Sequence, residues 1–342
     1  MGNLTVSPVN PHEQENTVRR VRYYSYGGPE VLKVEETEIP TPGEGQVLIR
    51  TEAIGANFVD TKFRQGPSAG TLFSRPLPGS PTGDVVGTVE SVGAGVAPSL
   101  VGRRVATLVD PDAFADYVVA DAAWLADVPE GLDDGAASML SSAGPVALRI
   151  LRAGQLAAGE TVLVQAAAGA IGHLAVQLAK IEGAGTVIAT ASSPAKLDFA
   201  RAHGADVAID YTSEDWANQV RAAAPNGVDV ILDSAGGQMT NENLELLAPF
   251  GRLVAYGVAS GEFADIPVMS LVGLRSVTGT SLLAWRAAAP KQAAAEVVEV
   301  AEHFAAGRLR ASVHTRLPLA EAVAAHRILD AREQLGRVLL IP

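Results

Sequence analysis

Thr161–Lys180 reads TVLVQAAAGAIGHLAVQLAK, and the fold follows from how this stretch is built. It opens with the short apolar run of a buried strand. Small residues then make a turn, and from about Gly169 the apolar spacing becomes that of a helix. At the junction stands Ala167-x-Gly169-x-x-Gly172, with Ala170 and Ile171 in the variable places. This is close to the fingerprint that lets a pyrophosphate approach backbone N–H groups at a helix N-terminus. Gly169 permits the approach, and Gly172 lets the helix pack against the strand. Ala167 replaces the first glycine and adopts a positive φ less cheaply, so the turn is predicted to take a slightly altered path. An Ala/Gly loop between core elements would read the same in isolation.

Its position decides between the two readings. Downstream, strands are predicted at Thr186–Thr190, Val207–Asp210, Val228–Leu232, Arg252–Tyr256 and Arg275–Gly279. Helical text lies between most of them: Gly172–Ile181, Ser193–His203, Trp216–Ala224 and Thr240–Leu247. Such alternation makes an α/β doubly wound parallel sheet with a nucleotide on its first βα turn. Ligands of such sheets lie beyond the carboxyl ends of the strands, which makes Gly236, Gly257 and Val258 candidate cofactor contacts. The second strand leads into TVIATASSPAK without the acid that holds the ribose hydroxyls of NAD. Ser192 can donate to a 2′-phosphate and Lys196 can bring charge to it. Tyr211 follows the third strand and can stack on adenine or offer its hydroxyl. The cofactor expected is therefore NADPH.

Upstream the text is mainly β. Strands are expected at Arg19–Tyr24, Leu32–Glu38, Gln46–Ala53, Arg104–Leu108 and Ala115–Val119. Between Gly83 and Val96 the stretch GDVVGTVESVGAGV sets glycines among valines, as bent strands of a partly closed barrel require. The C-terminal pieces, ending in a strand at Gly336–Ile341, are too few for a separate core. They are expected to return to the β-rich part, with the nucleotide domain inserted. The division expected is a flexible leader at 1–17, a β-rich domain at 18–143, the nucleotide domain at 144–279 and the return at 280–342.

Composition narrows the chemistry. The net charge is -12, and no basic block exists that could neutralise a run of phosphates, so nucleic acid is not an expected partner. The chain has no cysteine, which removes disulfides, thiolate nucleophiles and cysteine-based zinc sites. No two of the six histidines have metal-ligand spacing, and no metal is expected. The N-terminus has no apolar leader segment and no apolar run reaches membrane-spanning length. A cytoplasmic protein is expected. Leu274–Leu283 is predicted to supply an open sheet edge, which invites pairing across a two-fold axis and a homodimer.

NFVD at Asn57–Asp60, the valine-rich segment at Gly83, the AAAGAIG loop and the LLIP ending together resemble the medium-chain dehydrogenase/reductase superfamily. The chain is most similar to its zinc-independent quinone oxidoreductase and zeta-crystallin branch, from about Arg19 to Pro342. The resemblance implies a GroES-like catalytic domain with an inserted Rossmann domain. It also implies hydride transfer from NADPH to quinones or small conjugated carbonyls. Zinc-dependent members carry Cys at the place of Asn57 and His at about Gly83, beside an acid matching Asp84. Asn57 matches the family asparagine beside nicotinamide and substrate; an asparagine that merely satisfies a turn is the alternative.

Asp60 stands with Asn57 as a catalytic-site candidate whose expected part is support of local geometry. Lys62 replaces a tyrosine common in this branch, and is a candidate proton donor or anion attractor. Ser141–Pro145 departs from the branch's K-G-x-T text, which alters hydrogen bonding at the same pocket. Phe63, Leu72, Phe73 and Trp285 are expected in an apolar substrate wall. An enoyl-thioester or alkene reductase on the same fold is the alternative function, followed by a non-catalytic NADPH sensor.

Overall fold

The computed structural model describes residues 17–342; the expected N-terminal leader lies outside the described residues, save for Thr17. Strands β1 (Thr17–Arg22) and β2 (Lys33–Glu38) form an antiparallel pair. Next come β3 (Gln46–Ala56), β4 (Gly83–Val92), β5 (Arg104–Val109), β6 (Tyr117–Asp121) and β7 (Ala126–Asp127). All pair antiparallel, and the register breaks between Leu48 and Ile49 and between Thr51 and Ala53 bend β3 against β4. One continuous strand, β4, thus occupies the glycine-valine text; Gly87 lies over β3, where a Cβ would stand 2.2 Å from the Arg50 carbonyl oxygen.

The second sheet comprises β8 (Thr161–Val164), β9 (Thr186–Ala191), β10 (Val207–Asp210), β11 (Val228–Asp233), β12 (Leu247–Ala255) and β13 (Ser276–Gly279). All are parallel, in the order β10-β9-β8-β11-β12-β13. Central strands such as β11 (VDVILD) are buried on both faces, which is why they read as apolar runs without alternation. The order reverses between β8 and β11, and there the carboxyl ends open a crevice.

The last two strands are β14 (Val313–Pro318) and β15 (Arg337–Ile341), and they lie in the first sheet. Its order is β14-β15-β3-β4-β5-β7, with β6 also on β3. β15 runs antiparallel to the end of β3, pairing Val338 with Ala56. The start of β15, at Arg337, therefore stands beside Asn57. Helix Ala143–Ala153 leads from the β-rich part into the parallel sheet, packing against helices Gly172–Ile181 and Pro290–Ala305. Gly144 allows that close contact, since a Cβ there would stand 2.5 Å from Val300.

Candidate active site

A cleft of about 740 Å³ runs between the two sheets. One wall is the turn after β8. The positive φ lies on Ala166 (48°), one residue before the position where the sequence places the altered turn. Ala167 is fully buried and does not line the cleft; its N–H donates to the Thr190 carbonyl, 3.1 Å, and ties the turn to β9. Ala166, Ala168, Gly169, Ala170, Ile171 and Gly172 line the cleft. A Cβ on Gly172 would meet the Ala166 carbonyl oxygen at 2.2 Å, so only glycine fits. Helix Gly172–Ile181 begins with no side-chain cap. Although the His173 and Ala175 N–H groups donate to the Gly169 and Ile171 carbonyls, an anion at this end meets the Gly172 N–H and the positive end of the helix dipole. His173 braces the loop from behind. Its Nδ1 meets the Gly169 carbonyl at 2.8 Å, and Ser312 N–H donates to its Nε2 at 3.2 Å. Burial lowers its pKa to about 4, and the neutral ring donates through Nδ1 and accepts through Nε2.

Ser192, Lys196 and Tyr211 line the same cleft. Ser192 and Lys196 also face an adjoining hollow of about 320 Å³, together with Arg332 from the far end of the chain. Lys196 Nζ lies 3.2 Å from Ser192 Oγ and donates to the Arg332 carbonyl. Burial, then the charge of Arg332, lowers the Lys196 pKa. Among the described residues no carboxylate forms an ion pair with Lys196 or Arg332. Glu333 also lines the hollow and its charge opposes the lowering of the Lys196 pKa, so two cations, one carboxylate and a hydroxyl surround it. Sequence reasoning missed Arg332, whose place depends on a contact spanning 136 positions.

Across the cleft, Ser234, Tyr256, Gly257 and Val258 form the opposite lip. Gly257 is needed there, for a Cβ would stand 2.9 Å from the Ser234 carbonyl oxygen. Gly236 is not among the lining residues. With φ of 75° it makes the turn before helix Gly237–Leu246, and a Cβ would strike the Glu262 carbonyl oxygen at 2.8 Å. Its glycine serves the turn.

Asn57 occupies the N-cap position of helix Phe58–Gln65 yet makes no capping bond with its side chain. Arg337 Nη1 donates to its Oδ1 instead, at 3.0 Å. The turn-satisfying alternative for Asn57 is therefore replaced by a contact across 280 positions. Arg337 in turn pairs with Asp84; the side chains are 1% and 0% exposed. Ser141 and Ser142 hydroxyls donate to the two Asp84 oxygens at 2.6 and 2.7 Å. The serine segment thus reaches the pocket by fixing a buried ion pair. Arg337 lay outside the sequence reading, because a lone arginine in the GRVLLIP ending carries no local signal.

Asp60 does not line the cleft. It is 2% exposed and accepts Thr82 N–H at 2.7 Å and Thr82 Oγ–H at 3.0 Å. Burial raises its pKa to about 7 against the opposing Thr82 donors. It brackets the helix to Thr82, which does line the cleft. Lys62 lies on the rim with its Nζ 5.6 Å from the Phe58 ring centroid, while Arg332 covers the same ring at 5.3 Å. Burial and then Arg332 lower the Lys62 pKa.

Phe63, Leu72 and Phe73 line the apolar wall; Leu282 and Leu283 complete it. Trp285 does not line the cleft: it lies behind Arg149, whose guanidinium is 4.4 Å from its ring, and donates to Glu296 at 2.9 Å.

The donor set does not fit a zinc ion. Asn57 is turned to Arg337, Asp84 is spent on the same guanidinium, and a Cβ on Gly83 would stand 2.8 Å from Ile54. Among the described residues no three His, Cys, Asp or Glu side chains could together hold a metal.

Residues 43–130 match the family described as alcohol dehydrogenase GroES-like domain, and residues 170–299 match zinc-binding dehydrogenase. The chain is 36% identical to a quinone oxidoreductase of Pseudomonas aeruginosa over 95% of its length and 99% of that protein. It is 36% identical to a 2-haloacrylate reductase of a Burkholderia species, covering 92% of this chain and 96% of the relative. Its fold superposes on the Escherichia coli quinone oxidoreductase solved with NADPH at a TM-score of 0.87. That pair shares 29% identity and covers 95% and 100% of the two chains.

Proposed function

The chain belongs to the medium-chain dehydrogenase/reductase superfamily, and from that premise we propose that it is an NADPH-dependent, zinc-independent reductase of quinones and small conjugated carbonyls. The observation that carries the reading is the hollow shared by Ser192, Lys196 and Arg332, beside the glycine turn at the sheet's reversal point. A phosphomonoester carries more charge than a ribose hydroxyl, and this hollow sets two cations, Lys196 and Arg332, against one carboxylate, Glu333. The glycine turn fits the pyrophosphate because Gly169 and Gly172 place no side chain between it and the helix N-terminus. The quinone oxidoreductase relatives, one of them solved with NADPH, support the same cofactor and substrate class.

When bound, the reduced nicotinamide supplies hydride. The protein's part is to hold the acceptor and stabilise the charge that develops on its oxygen. Gly257 and Val258 present backbone to the nicotinamide end of the cleft. Phe63, Leu72, Phe73 and Leu282 exclude water and cover a flat apolar ring. Asn57 offers a carboxamide donor to the acceptor's carbonyl oxygen, and the proton that completes reduction comes from solvent. Asp60 takes no proton in this scheme, because Thr82 and the helix seal it from the cleft.

Lys62 favours a second substrate reading. It is a cation on the cleft rim without an ion pair among the described residues, and one relative is named for reducing a haloacrylate. A small conjugated acid fits that feature better than a neutral quinone.

We infer a homodimer formed through β13, where the parallel sheet ends. Phe250, Val268, Met269 and Val272 in and around the segment leading into β13 are 67–73% exposed, apolar side chains suited to a partner. The compartment we infer is the cytoplasm, where NADPH is supplied. No helix among the described residues is long and apolar enough to cross a membrane.

The test is NADPH oxidation followed at the nicotinamide absorbance, with 9,10-phenanthrenequinone, 1,4-benzoquinone, small enones, 2-chloroacrylate and crotonyl thioester as acceptors and NADH as control. Quinone or enone turnover with NADPH preference is expected. Turnover of the acrylate or thioester alone assigns the enzyme to alkene reduction, and bound NADPH with no turnover refutes the catalytic reading.

A further inference from the structure

We propose that Arg337 is a positioning residue that sets which end of the Asn57 carboxamide faces the substrate. The inference rests on the reading of Asn57 as the donor to the acceptor's oxygen. Its ground is hydrogen-bond chemistry. A guanidinium has donors and no acceptor, so a carboxamide bonded to Arg337 must turn its oxygen toward it. The Nη1–Oδ1 contact of 3.0 Å is this bond. The Asn57 NH₂ is left for the cleft, whose wall Asn57 and Arg337 share. An accepted charged hydrogen bond also polarises the amide and strengthens its remaining donor.

The guanidinium is itself held on several sides. Nη2 pairs with Asp84 and donates to the Ser138 carbonyl at 3.1 Å. Asp84 is locked by Ser141 and Ser142. The guanidinium lies flat against β3 at Gly55, where a Cβ would stand 2.2 Å from Nε and Nη2. Gly55 is therefore glycine to admit Arg337, two residues before the asparagine it orients. The backbone beside Arg337 is fixed too: Gly336 N–H donates to Ala168 and Arg337 N–H to Ser312, both at 2.8 Å. The residue that orients Asn57 is thereby anchored on the cofactor turn.

The experiment is a double-mutant cycle of Asn57→Ala and Arg337→Lys. It reads kcat and KM with NADPH and the best acceptor of the panel, NADPH affinity by nicotinamide fluorescence, and thermal unfolding. Loss of one oriented donor costs about 100-fold or more in kcat, the expected effect of Asn57→Ala. Arg337→Lys keeps the charge but loses the fork, and is expected to lower kcat about tenfold while NADPH affinity stays within about twofold. In the Asn57→Ala background the same change is expected to alter kcat less than about twofold. Equal losses in both backgrounds, or no loss in either, overturn the proposal.

Asn57→Ala with undiminished kcat removes the donor reading of Asn57 itself and this inference with it. A kcat effect of Asn57→Ala without coupling to Arg337 removes this inference alone. Should Arg337→Lys not fold, Gly55→Ala displaces the guanidinium with every charge retained. It must show the same coupling to Asn57, and additive behaviour there refutes the assignment.

Discussion

Removing the Lys196 ammonium should alter the choice between two cofactors that differ by one phosphate. Coulomb attraction between unit charges 4 Å apart is about 1 kcal/mol in bulk water and about 4 kcal/mol at the dielectric of a protein surface. Lys196 lies between these limits, because it is part-buried beside Ser192 and Arg332. About 1.5–2 kcal/mol follows, or roughly 10- to 30-fold in NADPH affinity at 1.4 kcal/mol per decade. Arg332 is exposed on the rim and should contribute about fivefold by the same reasoning. Lys196→Ala is expected to raise the NADPH dissociation constant by that factor and leave NADH nearly unchanged, as read by nicotinamide fluorescence. Arg332→Ala should add to it. Salt should erode the wild-type preference and affect the double variant little. Because the Lys196 pKa is lowered, the preference should also decline as pH rises toward the lysine's titration. If Lys196→Ala weakens NADPH and NADH by the same factor, Lys196 does not read the 2′-phosphate and the argument fails.

Three further outcomes can be checked. Asp60, raised to about 7 in the fold, holds its proton more tightly there than in the unfolded chain. Its contribution is full below about pH 4 and is lost as pH rises to about 7, on the order of 4 kcal/mol if the shift is complete. Asp60→Asn should flatten that loss in the difference between the two thermal-unfolding curves across pH 4–8; parallel curves would show that Asp60 ionises normally. Gly172→Ala forces a Cβ toward the Ala166 carbonyl oxygen, 2.2 Å away, and should weaken NADPH binding at least about tenfold with a loss of about 2 kcal/mol in stability; calorimetry showing an unchanged dissociation constant would contradict the tight turn. Val268→Lys with Val272→Lys places two charges in the exposed patch near β13 and should shift gel filtration toward the monomer mass of 35.3 kDa; a wild-type protein already eluting there would refute the dimer.

What the sequence disclosed follows from the range over which each feature is encoded. The β8 turn, the absent acid after β9 and the alternation of strands and helices are local, and local spacing is what a periodicity reading detects. The fully buried strands were legible as apolar runs because both faces of a parallel sheet are covered. Register and closure are different in kind. Nothing near Asn57 announces that β15 will lie beside it, so the carboxamide was legible as a candidate while its orientation was not. Asp60 and Asn57 stand in one short motif, yet the helix turns one inward to Thr82 and leaves the other at the cleft. Trp285 was misplaced for a related reason: an aromatic seeking cover can find it behind a lining residue, and Arg149 supplies that cover. The residues missed altogether, Arg332 and Arg337, come from a six-residue span at the C-terminal end. Arg332 stands at the phosphate hollow and Arg337 at Asn57. The same span is tied by Gly336 to the Ala168 carbonyl. The returning chain thus supplies a cation at each end of the cleft and grips the turn between them, and this arrangement couples the cofactor site to the carboxamide that faces the substrate.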